Sequence, residues 1–213
     1  MASDRAPVPL RTVFHEELEQ LRMQVELMGV RVDQNLERMR DVLDHGEEGG
    51  IIAAAVAADD EIDAMHVSLM ERCYDLLNRE APMAGDLRYL VSVVRILSEF
   101  ERVGDLALRV IKLGPDMEEL AACGPAWDIV RTLADIAVDH YRTALRAWAT
   151  QDLTLATELV EHRPELTTIQ ERLLAELRRL DGPDAVSLAM DLFVAGQAAD
   201  RIADHAAVTG ARL

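Results

Sequence analysis

Between Phe14 and Leu43 the apolar residues fall at Phe14, Leu18, Leu21, Val25, Met28, Val32, Leu36, Met39 and Leu43. Steps of three and four return each side chain to one side of an α-helix, so the spacing predicts an amphipathic helix over 10–44 with a single seam. His45-Gly46 and Gly49-Gly50 end it. A helix this long owes its stability to what its apolar face packs against, and the first question is what the rest of the chain supplies.

It supplies more helices. A second is predicted over 51–79, with Ile62, Met65, Leu69, Cys73 and Leu76 facing inward and an alanine-rich start that lets helices approach closely. The stretch from Ala81-Pro82 to Gly85 breaks the chain, and Asp86 is the expected N-cap of a third helix over 87–113. Its seam is Leu90, Val94, Leu97, Phe100, Ala107 and Ile111. Gly114-Pro115 stops it, and a loop containing Gly124-Pro125 follows. The second half repeats the plan. One helix is expected over 127–150, with Val130, Ala137, Tyr141, Leu145 and Trp148 in its seam. Another covers 153–180, kinked at Pro164, and a last one runs over 185–209 after Asp181-Gly182-Pro183-Asp184. Strand-type alternation is sustained nowhere. The expected fold is all-α: two tandem three-helix bundles, a first repeat over 10–114 and a second over 126–211, behind a disordered leader at 1–9 in which Pro7 and Pro9 delay helix onset.

Only 4% of the residues are aromatic although half are hydrophobic, so the core is built of Leu, Val, Ala, Ile and Met, as suits helices. The net charge of −17 repels phosphate backbones and anionic membrane surfaces, which argues against nucleic acid as a partner, and it invites cations. Cys73 and Cys123 have no metal-ligand spacing and read as reduced thiols. The longest apolar run, Ile51 to Ala58, is too short to span a bilayer, and a cytoplasmic location is expected.

One pentapeptide occurs near the end of each half: Glu101-Arg102-Val103-Gly104-Asp105 and Asp200-Arg201-Ile202-Ala203-Asp204. Each sets two carboxylates at i and i+4 on one helix face, where like charges oppose each other. Asp59 and Asp63, within Asp59-Asp60-Glu61-Ile62-Asp63, form a third such pair. Carboxylate oxygens suit hard cations such as Mg²⁺, Mn²⁺, Ca²⁺ or oxidised iron. With 39 acidic residues in the chain, roughly seven such pairs arise by chance, so a single pair reads as a solvated face. Repetition in register, with the same Arg, β-branched and small residues between the acids, lifts these above that background.

Helical projection sets the acids beside the apolar stripes, partly exposed. Arg102 and Arg201 read as neutralisers of the acids, Gly104 as a close helix contact, and His66 and His205 as exposed helix histidines. Trp127, Trp148 and the methionines read as core. No Gly-rich phosphate loop, GxSxG elbow or HExxH motif occurs, and no enzymatic activity is expected. A carboxylate di-iron protein would need Glu-x-x-His on two helices, whereas the chain offers only Asp63-Ala64-Met65-His66. The remaining alternative is a helical scaffold whose acids only solvate its surface.

Together these motifs resemble the PhoU family. The two pentapeptides resemble its Glu-Arg-Ile-Gly-Asp-like signature, and Asp59-Asp60-Glu61-Ile62-Asp63 its Asp-Asp-Glu-Ile-Asp signature. His15-Glu16-Glu17-Leu18, Met28-Gly29 and Asp86-Leu87-Arg88 extend the likeness over about residues 10 to 210. The resemblance implies two three-helix bundles that bind metal ions (iron, manganese, magnesium or zinc) through the acidic motifs. It implies a negative regulator of the phosphate-starvation response and of phosphate uptake, an adaptor linking a phosphate ABC transporter ATPase to a phosphate-sensor histidine kinase; the long amphipathic helices and alanine-rich faces separately point to a homodimer. The expected metal ligands are Asp59, Asp63, Glu101 and Asp105 in the first half and Asp200 and Asp204 in the second. The second half departs from the pattern. Where the first has Asp59 to Asp63 it has Arg163-Pro164-Glu165-Leu166-Thr167, and Ala203 replaces Gly104, so only the Asp200/Asp204 arm remains. Asp33 and Glu99 could complete a first-half site from adjacent positions.

Overall fold

The computed structural model of the chain describes residues 10–80, 82–161 and 163–211; the segment 1–9 read as a leader lies outside them. Helix α1 spans Leu10–His45. Its seam is shut off from solvent, with Leu21, Val25, Met28, Val32, Leu36 and Met39 all at 0% exposure. Left-handed Gly46 (φ +75°) closes it, its N–H donating to the Val42 carbonyl at 2.8 Å. Helix α2 spans Ile51–Glu80 and buries Ala55, Ile62, Leu69, Cys73 and Leu76, while Met65 is half-buried.

Helix α3 spans Gly85–Ile111. It begins one residue before Asp86 because the chain turns at Ala84, which takes a left-handed φ of 51°. Asp86 therefore does not cap the helix. It lies in the first turn, where its carboxylate meets the positive end of the helix dipole.

The stretch read as a loop after α3 is ordered. A 3-10 turn over Gly114–Asp116 leads into α4, Met117–Ala121, whose Met117 and Leu120 are buried and which touches the last helix. Five residues are too few for a periodic signal, and the Gly-Pro pairs on either side hide it. Helix α5 spans Pro125–Thr150 and ends at left-handed Gln151. The next predicted helix is divided into α6, Leu153–Glu161, and α7, Arg163–Leu177, close to Pro164. Helix α8 spans Ala185–Gly210.

Helices α1, α2 and α3 pack on one another, as do α5, α6, α7 and α8, giving two three-helix bundles in which α6 and α7 together fill one position. The bundles meet along α3 against α8 and α1 against α5, and one continuous core runs through both. No strand occurs among the described residues.

The α1–α5 contact is close because Gly29 has no side chain: a Cβ there would stand 2.5 Å from Leu145 Cδ1 and 3.1 Å from the Phe100 ring. Tyr141, buried and edge-on to Phe100 at 5.7 Å between ring centroids, donates its hydroxyl to the Gly29 carbonyl at 3.0 Å. On the outer side of this contact Arg142 holds Asp33 at 2.8 Å and also pairs with Glu37. Both tryptophans are core residues, Trp127 at 6% and Trp148 at 2% exposure.

Candidate metal-binding face

Consecutive helices joined by a short turn run antiparallel, and α2 and α3 pack together along the face that carries the first-half acids. The seam of α2 runs Ala55, Asp59, Ile62, His66, Leu69, Cys73 and Leu76 in steps of three and four, so Asp59 and His66 occupy positions otherwise held by apolar side chains. Opposite Asp59 lies Gly104 of α3. A Cβ on Gly104 would come within 3.2 Å of Asp59 Oδ1 and 3.7 Å of Ile62 Cδ1. The missing side chain lets the carboxylate lie down between the helices, and Asp59 is only 8% exposed. The sequence reading sets it beside the stripe, whereas the structure places it in the seam, against Gly104.

The surrounding charges order the face. Burial first, and then Asp63 and Asp105, raise the Asp59 carboxyl to a pKa of about 6. Lys112, beyond the end of α3, partly offsets them. Glu101 is also raised, first by burial, then by Asp105 and Asp63, against the pull of His66 and Arg102. The charges that act most on Asp59 and Glu101 thus all come from α2, α3 and the residue after α3. The acids make a ladder along the α2–α3 face, Asp59 acted on by Asp63 and Asp105, and Glu101 by Asp105, His66 and Asp63. Asp63 and Asp105 are exposed at its rim.

Two features bear on what the ladder could hold. Burial first, and then the charges of Asp63, Asp105 and Asp60, favour the neutral form of Asp59, and a positive ion nearby would oppose that. The Nε2 of His66 is shut off from solvent without a hydrogen-bond partner. The donors are carboxylate oxygens and one imidazole nitrogen, a set suited to divalent ions. Among the described residues no three such side chains already converge in a ligating arrangement.

The other expected ligands are placed elsewhere. Asp200 and Asp204 lie half-buried on α8, where the facing stretch of the second repeat has no acid pair. Asp33 is taken by Arg142 in the α1–α5 contact, so it does not complete the site. Glu99 lies against α8 instead: its Oε2 is 2.6 Å from His205 Nδ1, and its Oε1 is 3.7 Å from Arg102. His205 is not the exposed histidine read from the sequence; it is 15% exposed and Glu99 is 12% exposed, which makes the pair a tie between the two repeats. Cys73 is buried, with its thiol pushed up to about 11, and is inert at neutral pH.

Fold and site define a class: an all-helical protein of two tandem three-helix bundles, with a carboxylate ladder on the first. Residues 25–113 match the model of the PhoU domain. Over 195 residues, 91% of this chain and 76% of the relative, the chain is 26% identical to the "Phosphate-specific transport system accessory protein PhoU homolog" of Pseudomonas putida. It is 25% identical to PhoU homolog 2 of Mycobacterium tuberculosis, over 96% of each chain. The crystal structure of PhoU from Pseudomonas aeruginosa superimposes with a TM-score of 0.86 at 26% identity, covering 93% of this chain and 96% of the other. That of PhoU from Streptococcus pneumoniae shares the fold at 17% identity, with a TM-score of 0.78. The chain is thus similar to PhoU proteins over most of its length, and its first repeat matches the PhoU domain.

Proposed function

We propose that the chain is a phosphate-transport accessory protein that holds phosphate uptake and the phosphate-starvation response in check, and that it does so as a metal-binding adaptor. The relatives it matches over most of its length are named as accessory proteins of phosphate-specific transport, which supports the first part. One observation carries the second: the buried, proton-favouring Asp59 beneath Asp63 and Asp105. The residues that would hold the ion are Asp59, Asp63, Glu101 and Asp105. A bound divalent cation supplies the positive charge that neutralises them and fixes the pose of α2 against α3.

The chain's own residues set what that changes. Gly104 keeps the helices close at the ladder, and Ile62 packs beside it. Any change in the spacing of α2 and α3 is passed through α3 to α8, which α3 packs along and grips through Glu99 and His205. The surface offered to a transporter ATPase and a sensor histidine kinase would differ between loaded and empty forms. No helix among the described residues is long and apolar enough to cross a membrane, so contact with a transporter would be made by docking.

The test is complementation. In phosphate-replete cells lacking their own copy, the wild-type chain is expected to silence a phosphate-starvation reporter. The variant with Asp59→Asn, Asp63→Asn, Glu101→Gln and Asp105→Asn is expected to leave it active at equal protein level. Full repression by that variant would refute the metal-dependent part of the reading.

A further inference from the structure

We propose that the outer groove between α2 and α3, on the turn side of the acidic ladder, docks an amphipathic helix of a partner protein that carries acidic residues at heptad spacing. The inference deepens the adaptor reading by naming the chemistry of a partner, and it is independent of whether the ladder holds an ion. A seven-residue spacing carries it. Arg88, Arg95, Arg102 and Arg109 follow one another at that interval along α3, and all are exposed. They form a nearly straight row about 30 Å long. Arg102 reaches Glu99 at 3.7 Å. Arg88, Arg95 and Arg109 make no ion pair among the described residues, although the chain has 39 acidic side chains.

Beside the row runs a second line, Leu87, Val91, Val94 and Ser98, in steps of four and three. Row and line stand to each other as the e positions of a coiled coil stand to its a/d seam. Leu87 and Val91 are each 41% exposed. Gly104 lies against Asp59 and Ile62, and the antiparallel register then sets Tyr74 level with Val91 and Val67 level with Ser98. Tyr74 and Val67, at 55% and 57% exposure, form the opposite wall. The far edges of both helices are taken: Arg72 and Arg79 of α2 hold α1, and Glu99 of α3 meets α8. Charge decides the occupant. Against the same face of an antiparallel second copy, e positions meet e positions and arginine would face arginine. A helix with an apolar seam flanked by acids complements both the line and the row. Asp63 and Glu101 at the far end of the groove repel acids and so keep them toward Arg88 and Arg95.

The experiment uses the full chain, in chelator, and two designed helical peptides of about four heptads with leucine at a and d. One carries glutamate at e and g, the other glutamine, and binding is read by fluorescence anisotropy. The net charge of −17 works against the glutamate peptide over the rest of the surface, so a preference for it reports a local positive site. The wild type is expected to hold the glutamate peptide roughly fivefold or more tighter than the glutamine one, by a margin that shrinks as salt is raised. Arg88→Glu with Arg95→Glu is expected to weaken the glutamate peptide roughly tenfold or more and leave the glutamine peptide unchanged. Tyr74→Ser is expected to weaken both. Equal or weaker binding of the glutamate peptide by the wild type, or an unchanged preference in the folded double variant, overturns the inference. So does full silencing of the starvation reporter by the double variant. A wild type that prefers the glutamate peptide but fails to silence the reporter overturns the adaptor reading and leaves the groove standing.

Discussion

Gly104 of α3 lies directly beneath the Asp59 carboxylate of α2, 3.2 Å from the position its Cβ would take to Asp59 Oδ1. The second repeat carries Ala203 at the matching place and has no acid opposite. Gly104→Ala would remove a helix glycine, a gain of about 1 kcal/mol, set against displacing Asp59 by a few tenths of an ångström. Thermal unfolding is expected to move little, by no more than the equivalent of about 1 kcal/mol. Metal affinity is expected to fall, because the displaced group is one of the proposed ligands. A variant that binds metal as tightly as the wild type would show that Gly104 serves packing alone.

The raised carboxyl of Asp59 fixes a pH dependence. Its folded pKa of about 6 lies above the ordinary 3.8, so between these values the folded state holds more protons than the unfolded one. Stability from this group is full below about pH 4 and is lost as the pH rises through about 6. Metal-free protein should therefore lose stability between pH 4.5 and 7 by an amount that Asp59→Asn reduces. Glu101, raised in the same direction, adds to the slope that remains. Melting temperatures of both proteins across that range, in chelator, make the comparison. Equal pH slopes would place Asp59 in ordinary solvent.

The tie between the repeats is testable at Glu99 and His205. Both are largely buried, and they meet at 2.6 Å. Removing one leaves the other without its partner, and His205→Ala is expected to cost about 1–3 kcal/mol in urea unfolding. A loss under about 0.5 kcal/mol would mean that the apolar α3–α8 contact holds the repeats together without it.

Tyr141 offers a smaller, cleaner test at the other contact between the repeats. Tyr141→Phe keeps the ring against Phe100 and removes only the hydroxyl bonded to Gly29. The expected loss is about 0.5–1.5 kcal/mol, read by the same unfolding assay.

The long helices were legible because their seams repeat over many turns. Every residue assigned to the α1 seam, from Phe14 to Leu43, is buried. The α4 turn was not legible, being too short to show a period. The acidic face was legible as a pattern, and the run Ala55, Asp59, Ile62 sets Asp59 in the seam, but its close contact with Gly104, forty-five positions away by number (104 against 59), was not legible. His66 could have been found: the run Ile62, His66, Leu69, Cys73, Leu76 places it in an apolar seam, where an exposed histidine does not belong. The Glu99–His205 and Asp33–Arg142 pairs could not have been found, because each joins helices from different repeats, and the relative placement of two bundles leaves no periodic trace in either.

The central claim is that the ladder on α2 and α3 holds a metal ion. Elemental analysis of the full chain, purified without chelator, tests it most directly when run beside the variant with Asp59→Asn, Asp63→Asn, Glu101→Gln and Asp105→Asn. The account expects a divalent metal at stoichiometric level or above in the wild type and its loss from the folded variant. A metal-free wild type, or equal metal in both proteins, would contradict it.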